Sequence, residues 1–135
     1  MHLIDTNIFL EVLLGRERSE ECKQLLRLVR DGKIEALVTD FTIHSMIVLM
    51  DGFKRLDALK TFLASLTAYR GLKIHYTSLV DEITAVEIAL THELDMDDAI
   101  QYSAALSSNA ESIVSFDKHF DGLKTPRNEP INLVK

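Results

Sequence analysis

The sequence predicts a single α/β domain over residues 1–135, with a mostly parallel sheet of four to five strands and helices on both faces. Three observations predict it. Short apolar runs alternate with longer stretches of helical period from one end of the chain to the other, the pattern left by repeated βαβ units. The 135 residues suffice for one hydrophobic core and are too few for two. No internal repeat, low-complexity segment or linker-like stretch breaks the alternation.

Element by element, His2 to Asp5 reads as a short buried strand, followed by a helix from about Thr6 to Leu14 that stops at Gly15. Ser19, with Cys22, Leu25, Leu26 and Val29, gives a capped amphipathic helix ending at Asp31-Gly32. Ala36-Leu37-Val38 is a strand, and Asp40 is placed to cap a helix ending near Gly52. That helix has almost no polar face between Phe41 and Met50, which predicts burial on most sides. His44, alone on it, reads as a hydrogen-bonded structural residue. Leu56, Leu59, Phe62, Leu63 and Leu66 mark a further amphipathic helix before Gly71, and Leu72 to Tyr76 alternates as a strand. Thr77 or Ser78 then caps a helix with Leu79, Val80, Ile83, Val86, Leu90 and Leu94 along one face. Asp95 opens a helix through Leu106, Ser112 to Phe116 is a strand, and a loop bracketed by Pro126 and Pro130 leads to a last strand, Ile131 to Val134.

Composition narrows the function classes. With 47% hydrophobic and 27% charged residues the chain has an ordinary globular profile. A net charge of −6 argues against a general, charge-driven nucleic-acid binder, which carries a basic stripe. It leaves room for an enzyme that cuts nucleic acid, because acids gathered to hold divalent cations themselves lower the charge. Apolar stretches such as Met46 to Met50 are far below the roughly 20 residues of a membrane span. Nothing at the N-terminus resembles a secretory leader, and Cys22, the single cysteine, has no internal partner and reads as core. A cytoplasmic protein without membrane contact is expected.

In a doubly wound sheet, sites form beyond the carboxyl ends of the strands. Asp5 follows the first strand and Asp40 the second. Asp98, with Asp95 and Asp97, opens the helix before the Ser112–Phe116 strand, and Asp117 follows that strand. Each acid alone has a plain structural use as helix cap or turn residue. If Asp5, Asp98 and Asp117 converge, their repulsion is relieved by protonation or by a divalent cation. All-oxygen ligation suits Mg²⁺ or Mn²⁺, which can polarise a phosphodiester and acidify a bound water.

The wording around these acids carries a resemblance. Leu3-Ile4-Asp5-Thr6-Asn7 resembles the opening signature of PIN domains, an apolar strand delivering Asp, then Thr or Ser, then Asn. Leu94-Asp95-Met96-Asp97-Asp98-Ala99 resembles the family's central motif, an Asp before Ala at a helix start. Ser112 to Phe120, with Ser115, Asp117 and Phe120, resembles its third. Order and separations match along essentially the whole chain. The resemblance implies a Mg²⁺- or Mn²⁺-dependent endoribonuclease, as in VapC-type toxins of toxin–antitoxin pairs or RNA-processing relatives, with RNA as substrate, an antitoxin as protein partner and a homodimer as an expected assembly. It implies Asp5, Asp98 and Asp117 as catalytic, metal-holding carboxylates. Thr6, Asn7 and Ser115 become supporting groups that orient them. Asp97 is a second candidate at the central motif, turned about 100° around the helix from Asp98. Lys118, Lys124 and Arg127 stand where cations would meet phosphates.

One departure stands out. PIN nucleases usually carry Glu on the helix after the second strand; here that position falls at or near Ser45, and Phe41 to Met50 contains no acid. A catalytically degenerate PIN domain that binds protein or RNA is therefore the alternative, with Asp40 as a compensating acid in the nuclease reading. A receiver-like signalling domain fits less well, since Asp5 stands alone and the strand Leu72–Tyr76 is followed by Thr77 where that class needs a phosphoacceptor Asp.

Overall fold

A computed structural model describes residues 1–134. Five strands, β1 (His2–Ile4), β2 (Ala36–Thr39), β3 (Leu72–His75), β4 (Ser112–Val114) and β5 (Arg127–Asn128), form one all-parallel sheet in the order β3-β2-β1-β4-β5. Between them run α1 (Thr6–Leu13), α2 (Ser19–Arg30), α3 (Asp40–Gly52), α4 (Leu56–Leu66), α5 (Leu79–His92) and α6 (Met96–Ser107), and α7 (Pro130–Leu133) closes the chain. The chain runs outward from β1 to β2 and β3, then returns to the other flank of β1 with β4. The β1/β4 boundary is thus the point where strand order reverses, and crevices form at the carboxyl ends there.

Alternation along the central strands builds two cores. Ile4, Val38 and Val114 face α1 to α4, with Phe9, Leu25, Val29, Met46 and Met50 filling that side. Leu3, Leu37 and Ile113 face α5 and α6, against Ala85, Ile88, Ala99, Tyr102 and Phe120. Cys22 is fully buried, as expected, and burial pushes its thiol up to about 12, which leaves it inert near neutral pH. Gly71 is required by close approach: its N–H donates to Val29 O, and a Cβ there would fall onto the Ile34 carbonyl. No helix among the described residues is long and apolar enough to cross a membrane.

Several expectations are corrected. Ile131 to Val134 is not a strand: Pro130 starts the short helix α7, and Glu129 with Asn132 forms its capping box. The fifth strand lies earlier, at Arg127–Asn128. Ser19 is the first residue of α2, whose cap is Arg18. Asp40 is likewise inside α3, and Thr39 is the cap, accepting from Thr42 N–H. α3 is not buried on most sides, because it packs against α1, α4 and β2 along one face only. Thr42, Met46 and Met50 are its buried residues, while Ile47, Val48, Leu49 and Phe53 are exposed. His44 is exposed as well. α5 turns Ala85 and Ile88 inward and leaves the apolar stripe Leu79, Ile83, Val86 and Leu90 in solvent, with Leu79 at 74% and Leu90 at 78% exposure.

Candidate active site

Asp5 is set by the sheet. Its backbone N–H donates to Val114 O at 3.0 Å, joining the end of β1 to the end of β4. Its carboxylate caps α1 through Thr6 N–H at 2.8 Å, so the structural role and the site position coincide. The same Oδ1 accepts from Gln101 Nε2 at 3.0 Å, and Oδ2 accepts from Ser115 Oγ–H at 2.7 Å. The Ser115 hydroxyl is then saturated, since it also accepts from Asn7 Nδ2 at 3.1 Å and from Asp117 N–H at 2.9 Å. One serine therefore fixes the chain direction at both Asp5 and Asp117. Asn7 adds a contact from Phe116 N–H to its Oδ1.

Asp98, in the first turn of α6, is buried, and Asp97 beside it accepts the Asp98 N–H at 3.0 Å. Asp117 caps a single 3₁₀ turn, Lys118–Phe120, through His119 N–H at 2.9 Å. Asp5, Asp97, Asp98 and Asp117 line one pocket of about 250 Å³ with Thr6, Asn7 and Gln101, and its wall is completed by Leu10 of α1 and Phe41, Ser45 and Leu49 of α3. The chain thus brings Asp5, Asp98, Asp117, Thr6, Asn7 and Asp97 to one pocket, with Ser115 buried just behind it. Asp40 is not among the lining residues. Its carboxylate is engaged by Phe41 N–H and by the N–H and Oγ–H of Thr77, which tie the start of α3 to the loop after β3. Ser45 faces the pocket, so the acid-free position on α3 is a real feature of the wall.

Crowding shifts the titrations. Burial, then the charges of Asp117 and Asp97, push Asp98 up to about 6. Burial also raises Asp5, against the opposing pull of the Ser115, Gln101 and Thr6 hydrogen bonds. His119 responds in the other sense. Its Nδ1 lies 3.2 Å from both Asp98 Oδ2 and Asp117 Oδ1, and the hydrogen bond with Asp98, with the negative charge of Asp117, raises the imidazole. Donor atoms of Asp98, Asp117 and His119 all come within 4.8 Å of one another, a spacing that suits a divalent cation. Asp5 is not part of that tight group, although it lines the same pocket.

Sequence reasoning missed Gln101, Thr39 and Thr42. Gln101 is buried and bridges the layers: Nε2 donates to Thr42 Oγ1 at 2.6 Å as well as to Asp5, and Oε1 accepts from Thr39 Oγ1–H at 2.8 Å. Its signal was its place three residues after Asp98, on the same helical face. Arg127 is not free to meet phosphate. It holds β5 in place through Ser115 O, Asp121 and Glu129.

Comparison with known proteins accords with this geometry. A toxin–antitoxin complex from Klebsiella pneumoniae is similar in fold, with a TM-score of 0.73 at 19% identity over 96% of this chain and 98% of that one. The Mycobacterium tuberculosis toxin VapC20, a sarcin–ricin loop cleaving toxin, gives 0.71 at 14% identity over 87% of this chain and 91% of its own. VapBC2 from Rickettsia felis, bound to a DNA fragment from its promoter, gives 0.71 at 14% identity over 95% of this chain and 97% of that one. No curated protein matches the chain. The PIN domain profile, however, matches residues 2–125, a span that begins in β1 and takes in Asp5, Asp98 and Asp117; this chain belongs to the PIN domain family.

Proposed function

We propose that this protein is a Mg²⁺- or Mn²⁺-dependent endoribonuclease, the toxin of a toxin–antitoxin pair acting in the cytoplasm. The observation that carries the reading is the convergence of four acids, Asp5 and Asp98 buried among them, in one pocket at the β1/β4 switch point. Asp5, Asp98 and Asp117 would hold the ion, with Asp97 at the rim; Ser115, Asn7 and Thr6 keep Asp5 and Asp117 in place. When bound, the ion would polarise the phosphodiester and acidify a water. Within the chain, three donors oppose the upward pull of burial on Asp5, while burial and neighbouring charge raise Asp98 to about 6.

Mixing the purified protein with a panel of structured RNAs under Mn²⁺, Mg²⁺ or EDTA tests this. Cleavage that needs the metal and stops in EDTA is expected. Metal-independent cleavage, or none across the panel with metal bound, would turn the reading to the degenerate PIN domain, which the Ser45 side of the pocket favours.

The uncovered apolar surface supports two partners. The stripe on α5 and the outer face of α3 suit a second copy of the chain. Ile83→Asp with Leu90→Asp is expected to convert a dimer to a monomer by light scattering, and a monomeric wild-type chain would sink that assignment. An antitoxin segment suits the apolar groove of about 530 Å³ bounded by Ile43, Leu63, Leu66, Ile74 and Tyr76, beside the unpaired edge of β3.

A further inference from the structure

We propose that His119, which stands beside Asp98 and Asp117 outside the pocket lining, is itself a metal ligand, so that the ion meets an imidazole nitrogen next to these two carboxylates and Mn²⁺ is selected over Mg²⁺. The inference rests on the metal-dependent reading above and changes its donor set. His119 Nδ1 stands 3.2 Å from one oxygen of Asp98 and 3.2 Å from one oxygen of Asp117. Adjacent donors around a six-coordinate ion with bonds of about 2.1 Å are separated by about 3 Å, so the nitrogen already stands at the spacing of a neighbouring corner from each carboxylate oxygen.

The backbone holds this placement. Asp117 caps the turn that carries His119, through the His119 N–H, so ligand and ring are two residues apart on one rigid turn. Phe120, fully buried, anchors that turn in the α5/α6 core. The ring itself is 67% exposed, so it is not required for packing. A bound ion would take the place of the hydrogen between Nδ1 and Asp98 Oδ2, with Asp117 Oδ1 as close on the other side. The donor is also needed: α3 contributes Ser45 and no carboxylate to the wall. A nitrogen in place of a fourth oxygen alters preference, because even Mn²⁺, the weakest nitrogen binder of the first-row transition ions, accepts imidazole where Mg²⁺ keeps to oxygen and water.

The test reads coordination directly, without RNA. Wild-type protein and His119→Ala are loaded with Mn²⁺ and examined by electron spin-echo envelope modulation, with calorimetric titration by Mn²⁺ and Mg²⁺. The expected result is ¹⁴N modulation in the wild type that is lost in the variant, with Mn²⁺ affinity falling about tenfold and Mg²⁺ affinity almost unchanged. Mn²⁺ bound with no nitrogen signal would overturn the proposal and leave the three-acid site standing. Equal gains in affinity for both ions in the variant would overturn it too, making His119 a competing cation. Failure of the wild type to bind Mn²⁺ at all would remove the metal-dependent reading, and this proposal with it.

Discussion

Asp98→Asn is expected to end RNA cleavage, by more than about 100-fold, and to make the metal-free protein more stable near pH 7.5. The two effects have one cause. In the folded chain burial and the neighbouring charges of Asp117 and Asp97 raise the Asp98 carboxyl from its ordinary 3.8 to about 6. An acid raised on folding contributes stability that is fully present below about pH 4 and is lost as pH climbs through about 6. Near pH 7.5 the ionised carboxylate therefore opposes folding, and an amide of the same shape removes the opposition. Discounted for solvent screening, the gain is roughly 1 kcal/mol, or about 3 °C in melting temperature. Loss of the contact to His119 offsets a part of it, on an exposed ring. At pH 4 the two proteins should melt together. The same titration means that protons compete with Mn²⁺, so wild-type affinity for the ion should fall as pH drops below about 6. Calorimetric melting at the two pH values decides the matter: a variant less stable than the wild type at pH 7.5 would show that Asp98 serves folding more than chemistry.

Gln101→Met is expected to damage site and scaffold together. Methionine keeps the volume of the buried side chain but offers no donor to Asp5 and no acceptor to Thr39. Asp5 then loses one of the donors that favour its ionised form, and the buried Thr39 hydroxyl exchanges its 2.8 Å acceptor for the longer contact to Thr42 Oγ1 at 3.3 Å. Each unsatisfied buried group costs about 1–3 kcal/mol, and the loss of an orienting partner lowers metal affinity by about 10–100-fold. Urea unfolding and Mn²⁺ titration measure the two separately. Unchanged metal affinity in a destabilised variant would assign Gln101 to the fold alone.

Asp5 and Asp117 were legible because each follows an apolar run and opens a helical turn, and Asp98 because it stands before Ala99 at a helix start. β1, β2, β3 and β4 follow from the same runs, and their parallel pairing from the helices between them. Gln101 was not legible, since its partners Thr39 and Asp5 lie 62 and 96 residues away and only the folded sheet brings them near. His119 stood inside the third motif, yet nothing local shows that its ring turns back onto Asp98 on another helix. Periodicity marked the apolar stripe of α5 correctly but not its direction. The helix packs on α6 through Ala85 and Ile88, where small side chains allow close approach, and the larger residues remain outside. At the C-terminus four apolar residues fit strand or helix equally, and Pro130 was the better guide.

The central place of β1 bears on how the acid pocket comes into being. β1 is made first, but one of its two neighbours in the sheet, β4, begins only at Ser112, and Ser115 bonds Asp5 across 110 positions of chain. Contacts this distant are slow to close. A nascent chain halted before Ser112 can shape α1 to α4 against β1 and β2, but lacks the serine that orients Asp5 and lacks Asp117 altogether. Completion of the acid pocket is thus deferred until β4 and the turn after it are made, and a chain halted earlier holds Asp5 and Asp98 without Asp117.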